Sequence, residues 1–215
     1  VVSTMPLTIL VEQLNAPQEV LAHARSLRFR NTILVYLCVD AESVFPDQWI
    51  YIHAKELRTG RVTNFRNWSS GIRNGSKETI LCLEYWCYDE DQIWQETSET
   101  LVEIATREIG STGLVRREQV KKGHVVRVPR CYPVYARNYR AALGPVEQFL
   151  SGVPGITPIG RYGAFKYNNQ DHSILMGLLA AENIAGGARH DLWSLNTDYE
   201  YQEACRITAT GLQPA

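Results

Sequence analysis

Along this chain the spacing of apolar residues changes period several times, and each change marks an element. The opening run Val1-Val2-Ser3-Thr4-Met5-Pro6-Leu7 reads as a strand entering a turn. Asn15-Ala16-Pro17-Gln18 then offers an N-cap, an early-turn proline and a Gln three residues after the cap; with Val20, Leu21, Ala24 and Leu27 at helical spacing, the pattern predicts a short helix over residues 16–27. From Asn31 to Val39 nearly every position is apolar, β-branched or aromatic, as in a strand buried on both faces. Gln48–His53, Arg61–Arg66 and Thr79–Trp86 read as further strands, broken by Gly60 and by the Gly/Ser/Asn-rich stretch 69–76. That spacing predicts an antiparallel meander.

Beyond it, Ser98 is placed to cap a helix with Leu101, Ile104, Ala105, Glu108 and Ile109 on one face, Glu99 in its first turn and Gly113 just past its end. His124–Val128 reads as another strand. Val146, Phe149 and Leu150 mark a helix that starts at Gly144-Pro145 and ends at Gly152. The tail after Gly186-Gly187 is polar and is expected to pack on the surface or to be partly disordered.

Composition narrows the class. A chain of 215 residues, 45% hydrophobic and 21% charged, suffices for one domain or two small ones, and no apolar run approaches the roughly eighteen residues of a membrane span. Twenty-two basic against twenty-three acidic residues leave a net charge of -1. No bulk field draws such a chain to nucleic acid or anionic lipid, so the expected partner is a small molecule held by a local site, with a homo-oligomer left open. Five cysteines, Cys38, Cys82, Cys87, Cys131 and Cys205, form no CxxC and have no histidine at metal-ligand spacing. Free thiols fit a reduced, cytoplasmic setting. The apolar opening is read either as part of a longer chain or as a processed terminus.

Candidate chemistry concentrates in Gly155-Ile156-Thr157-Pro158-Ile159-Gly160-Arg161-Tyr162-Gly163-Ala164-Phe165-Lys166-Tyr167-Asn168-Asn169-Gln170-Asp171-His172-Ser173, which leads into Ile174-Leu175-Met176-Gly177-Leu178-Leu179-Ala180. The order is strand, glycine-punctuated loop, helix. Asp171 or a neighbour can cap the helix, and Ile174, Leu178 and Ala181 line one stripe of it. Such a helix start presents free N–H groups and a partial positive charge, suited to a phosphate or to the carbonyl edge of a flavin. The other reading is a tight turn before a buried helix, with Arg161 paired to a surface carboxylate. Elsewhere, Glu84-Tyr85-Trp86-Cys87-Tyr88 with Trp49 and Tyr51 could line an apolar pocket or simply pack a sheet, and Arg130 could clamp an anion or form a structural ion pair.

Gly160-Arg161-Tyr162-Gly163, with Tyr167 and the following helix, resembles the C-terminal flavin-binding segment of the FAD-dependent amine-oxidase superfamily, which includes protoporphyrinogen-oxidase-like proteins and UDP-galactopyranose mutase. Val1–Leu7 is similar to the strand before the substrate-binding insert of that family, and Val128-Pro129-Arg130-Cys131-Tyr132-Pro133-Val134-Tyr135 to the segment that returns from it. The resemblance covers about residues 1–185 as an ordered set. The GxGxxG dinucleotide fingerprint is missing from the sequence.

The resemblance implies an α+β fold: an antiparallel or mixed substrate-binding sheet with packed helices, flanked by C-terminal pieces of an FAD-binding α/β domain. It divides the chain into residues 1–27 (end of an FAD-domain strand and entry helix), 28–130 (substrate-binding sheet and helix), 131–186 (return to the FAD domain, with the flavin-facing loop and helix) and 187–215 (polar extension). Gly160, Arg161, Gly163, Asp171, His172 and Ser173 are the implied cofactor contacts; Tyr167, Asn169, Arg130 and Trp86 are the candidates for substrate. An acidic residue of the mutases is Asn169 here, which weighs against that branch. The implied function is the substrate-binding and flavin-facing part of an FAD-dependent oxidoreductase. A flavin-dependent sugar-nucleotide mutase and a non-catalytic binding remnant are the alternatives. Alone, the chain is expected to bind FAD weakly or not at all and to be inactive.

Overall fold

The computed structural model describes residues 1–73, 75–187, 189–195, 205–208 and 211–214. In chain order the elements are β1 (Val2–Ser3), α1 (Leu7–Gln13), α2 (Gln18–Ser26), β2 (Phe29–Val39), β3 (Trp49–Tyr51), β4 (Arg61–Asn64), α3 (Ser70–Arg73), β5 (Thr79–Cys87), α4 (Gln92–Gln95), α5 (Ser98–Ser111), β6 (Val120–Pro133), α6 (Tyr139–Ser151), β7 (Thr157–Pro158), α7 (Gly160–Gly163), α8 (Gln170–Ala185), β8 (Cys205–Thr208) and β9 (Gly211–Pro214). They form two compact units: Arg30–Cys131, and Val1–Phe29 together with Tyr132–Ala215. The fold is α+β. Much of the 187–215 extension lies outside the described residues; β8 and β9 within it pair as an antiparallel hairpin.

The unit Arg30–Cys131 is built on a five-stranded sheet in the order β3-β4-β5-β2-β6, with antiparallel pairing from β3 through β2. Strand alternation divides its residues. Ile33, Val35, Leu37 and Val39 share a face with Leu81, Leu83, Tyr85 and Val62, and Leu101, Ile104, Ala105 and Ile109 of α5 complete that core. The other face carries Thr32, Leu34 and Tyr36 beside Trp86, Glu84 and Cys82, then Arg61 and Thr63, then Tyr51 and Trp49. It is polar and aromatic: Thr32, Cys82, Glu84 and Thr63 are buried, Leu34, Tyr36, Trp86 and Arg61 are half-buried, and Tyr51 and Trp49 at its edge are exposed, so β2 is fully buried on one side and partly on the other. The Glu84–Tyr88 run is split in the same way, Tyr85 facing the core and Trp86 the opposite face.

Local chemistry sets several boundaries differently from the sequence pattern. Helix α5 is capped by Thr97, whose Oγ1 accepts from Thr100 N at 3.2 Å, and Ser98 is its first helical residue. Strand β4 stops at Asn64, because the Asn64 side chain accepts from Arg66 N at 3.1 Å and turns the chain into the short 3-10 segment Phe65–Asn67. Cys38, Cys82, Cys87 and Cys131 are free thiols. Burial, and then the nearby Glu84, pushes Cys82 up to about 12; burial, and then Asp91, pushes Cys87 up to about 11. Neither supplies a thiolate near neutrality.

In the other unit β1 pairs with β7 in parallel, Val2 opposite Thr157 and Ser3 opposite Pro158. Helix α1 replaces the expected turn: after Pro6 at the N-cap, Leu7, Leu10 and Val11 recur at helical spacing and are buried. Asn15 does not cap a helix; it adopts a left-handed φ of 51° after α1, and α2 begins behind Pro17. Helix α6 starts at Tyr139 rather than at Gly144-Pro145 and carries Pro145 inside it. One core joins Leu7, Val11, Leu21, Ala24, Leu143, Val146, Leu150 and Phe165. A smaller cluster packs Met176 and Ala180 of α8 on Ile159, Ala164 and Leu192. The stripe of α8 formed by Ile174, Leu178 and Ala181 faces outward, because this small cluster engages only the Met176 side. No helix among the described residues is long and apolar enough to cross a membrane.

Candidate functional site

The glycine-punctuated loop folds back on the start of α8. Gly160, at a left-handed φ of 80°, donates its N–H to Met176 Sδ at 3.0 Å and so ties α7 to α8. Gly163 is buried against β1: a Cβ there would lie 2.7 Å from Ser3 O, so glycine lets the two backbones approach. Between them Arg161 turns inward. Its Nε donates to Asn168 O at 2.9 Å and its Nη2 donates to the same carbonyl. The guanidinium carbon lies 5.0 Å from the ring centres of both Tyr132 and Tyr167, and those rings stack 5.3 Å apart. No carboxylate among the described residues pairs with Arg161. Among the described residues the surface ion pair considered for it is not formed.

Asn169 occupies the N-cap of α8, where Asp171 or a neighbour was expected. Asn169 N donates to His172 Nδ1 at 3.4 Å, and the His172 ring lies 3.1 Å from Asp171. Ser173 N–H donates to Asn169 O at 3.1 Å and is thus consumed by the helix, whereas Gln170 and Asp171, which open it, have no intrahelical acceptor. Next to this helix end sits Asn168, only 3% exposed. Its Nδ2 reaches Met176 Sδ at 3.8 Å, while its Oδ1 has no partner among the described residues. A buried acceptor without a donor normally marks a place that a ligand or water completes.

The loop continues into Phe165, which holds a left-handed φ of 48° although bulky side chains avoid that region. Lys166 Nζ donates to Leu195 O at 2.7 Å, and Tyr167 N donates to the Tyr135 hydroxyl at 2.8 Å. Beside them lies a half-open cavity of about 400 Å³ lined by Tyr135, Tyr139, Arg140, Glu147, Lys166 and Trp193 among others. Burial holds the Glu147 carboxyl above its ordinary range. The sequence pattern points to no cavity here, and it places Tyr132 in the returning segment without making it a partner of Arg161. The available signal is the clustering of tyrosines at 132, 135 and 139.

The structure thus gathers Gly160, Arg161, Gly163, Tyr167, Asn169, Asp171, His172 and Ser173 in one loop and helix start. Arg130 and Trp86 belong to the Arg30–Cys131 unit. Arg130 is exposed with a φ of 52°, and its N–H donates to Asn31 Oδ1 at 2.8 Å. The Trp86 ring lies directly over Gly60, where a Cβ would come within 2.0 Å of it. Its indole Nε1 is buried with no acceptor among the described residues. Chemically, the loop presents a planar cation, a helix N-terminus and a buried acceptor within a few residues of one another.

No family model matches this chain. Among solved structures it is similar to reduced UDP-galactopyranose mutase, with 22% identity and a TM-score of 0.79 over 91% of this chain and 43% of that one. It is also similar to a putative protoporphyrinogen oxidase from Exiguobacterium sp. 255-15, with 17% identity and a TM-score of 0.59 over 75% of this chain and 36% of that one. PF1083 protein from Pyrococcus furiosus aligns at 10% identity and a TM-score of 0.51, covering 89% and 42% of the two chains. The chain spans less than half the length of each. The likeness is one of fold, and it agrees with the amine-oxidase-superfamily resemblance carried by the sequence motifs.

Proposed function

We propose that this chain supplies the substrate-binding region and the flavin-facing C-terminal segment of an FAD-dependent oxidoreductase of the amine-oxidase and protoporphyrinogen-oxidase-like type. The observation that carries the reading is the start of α8, where Asn168 Oδ1, without a partner among the described residues, sits beside open helix N–H groups and Arg161. A flavin fits such a donor set, because its pyrimidine edge offers carbonyls to N–H donors and an N–H to a carbonyl acceptor. Gly160, Arg161, Asp171 and His172 would hold that edge, Ser173 would act through the helix it closes, and Gly163 would serve by seating α7 on β1. Bound FAD would supply the hydride-accepting chemistry, and the protein would contribute orientation and electrostatics. Tyr167, 45% exposed, and Asn169 are the substrate candidates of this unit. Trp86 and Arg130 are those of the Arg30–Cys131 unit. The free thiols suit a cytoplasmic setting, and the partner is a small molecule.

The test is spectroscopic. The chain extended to its complete reading frame is expected to purify yellow, and Arg161→Ala in that protein should weaken flavin retention by about 1.5–3 kcal/mol, as for a lost charged hydrogen bond. Undiminished retention would remove Arg161 from the site. A colourless full-length protein that takes up no added FAD would favour the non-catalytic remnant. The sugar-nucleotide mutase reading draws on Tyr167, whose hydroxyl-bearing ring stacks beside the Arg161 cation where a substrate phosphate could be met. Turnover of a sugar nucleotide with no net consumption of oxidant would select it.

A further inference from the structure

We propose that the cavity along α6 is a binding site for a free amino acid with a large apolar side chain. In it the ligand ammonium meets Glu147, the carboxylate meets Arg140 and Lys166, and the side chain lies against Tyr135, Tyr139 and Trp193. This site is additional to the one read for flavin and does not depend on that reading. Arg161, Tyr132, Tyr167 and Asn168 are not among its lining residues.

Helical spacing builds one wall of it. Tyr139, Leu143 and Glu147 recur every four residues on α6, with Arg140 beside the first of them, so one face presents a cation and, about two turns later, a carboxylate. Lys166 comes from the loop after α7. Trp193 and Ser194 come from the segment after α8, where Asp191 Oδ1 accepts from Trp193 N at 2.9 Å and from Ser194 N at 3.3 Å. These parts of the chain enclose about 400 Å³, within the range of small-molecule sites.

The opposite charges in this space do not close on each other. Glu147 is half-buried, and it forms neither a hydrogen bond nor an ion pair with any described residue, although Arg140 and Lys166 line the same cavity. Burial acts most strongly on its carboxyl and raises it; the Lys166 charge only partly opposes that, and Asp191 adds to it. Lys166 Nζ donates to Leu195 O at 2.7 Å, and Arg140 Nε donates to the Tyr139 hydroxyl at 3.4 Å. Both cations are thus steadied by groups other than Glu147.

A carboxylate taken partly out of water without a donor is completed by a ligand that brings one. A simple amine would supply the donor but would face two cations. A simple anion would suit the cations but would face Glu147. A zwitterion answers both charges at once. The remaining wall is aromatic: Tyr135 and Tyr139 stack with ring centres 4.5 Å apart, and the half-buried Trp193 joins them in the lining. Such faces select a large apolar side chain on the zwitterion.

The experiment is calorimetric titration of the full-length protein with L-phenylalanine, phenethylamine and N-acetyl-L-phenylalanine. The first is expected to bind saturably at one site; the second lacks the carboxylate and the third the ammonium, and each should bind at least about tenfold more weakly, as for one lost charge-assisted contact. Glu147→Gln should weaken L-phenylalanine by a similar factor and leave N-acetyl-L-phenylalanine unchanged. Gly144→Ala narrows the cavity with a Cβ that meets no protein atom within 4 Å, so it should weaken L-phenylalanine while the Tm is kept. No saturable binding of L-phenylalanine, or equal affinity for the three probes, overturns the proposal. So does an affinity that Glu147→Gln leaves untouched in a variant with unaltered circular dichroism. The comparison of probes uses the unsubstituted protein and decides the matter even where a variant does not fold.

Discussion

Glu108 is a carboxylate at 5% exposure, and both of its oxygens accept hydrogen bonds. Its Oε1 accepts from Arg58 N at 3.0 Å; its Oε2 accepts from Thr59 N at 3.1 Å and from the Tyr85 hydroxyl at 3.1 Å. Burial, and then the adjacent Glu108 charge, pushes the Tyr85 hydroxyl well above its ordinary range, so it stays a donor. We expect Glu108→Ala to strand two buried donors, the Thr59 N–H and the Tyr85 hydroxyl, with the part-buried Arg58 N–H, and to cost about 3–5 kcal/mol, with Glu108→Gln costing less because one oxygen can still accept. Urea unfolding followed by circular dichroism measures both. The sequence places Glu108 on the apolar face of its helix, and no local pattern names its partners, which come from a loop and a strand distant in the chain. Arg161 is legible for the opposite reason. Its glycines, its tyrosine and the helix start are all within a few residues, whereas Tyr132, which completes the stack, arrives from a separate segment.

At the scale of elements, long periodic segments read through and their ends do not. Helix α5 and strands β2 and β5 follow directly from spacing, because each buries a full face and tertiary packing agrees with the pattern. Its cap is a choice between two adjacent residues of capping type. Thr97 holds it with an extended backbone (φ −71°, ψ 161°), while Ser98 is already helical. Thr97→Ala should therefore cost about 1 kcal/mol and Ser98→Ala much less, a contrast that thermal melts of the two variants resolve. Helix α1 was missed because Pro6 and Leu7 looked like a turn, although Pro6 is its N-cap. On α8 the spacing puts Ile174, Leu178 and Ala181 on one stripe and the structure exposes that stripe, since periodicity identifies which residues share a face and not whether anything covers it.

For the whole molecule, the decisive feature is that the chain leaves one compact unit and returns to it. The Arg30–Cys131 unit enters on β2 and exits on β6, neighbours in its sheet, and Arg130 N–H donates to Asn31 Oδ1 at 2.8 Å across that pair. Its ends are thus joined by its own hydrogen bonding, and its core, from Ile33 and Val35 through Leu83 to Ile109, draws on no residue outside it among those described. A unit of about a hundred residues with one continuous core is large enough to fold alone. Excised as residues 30–131, it should unfold in a single cooperative transition whose midpoint agrees between far-ultraviolet dichroism and tryptophan fluorescence, with Trp86 held against Gly60 as the tertiary reporter. Separate midpoints, or a broad fluorescence change without a transition, would mean that the sheet needs the rest of the chain. A cooperative transition would show that the sheet and α5 fold without the discontinuous unit, as the core they share implies.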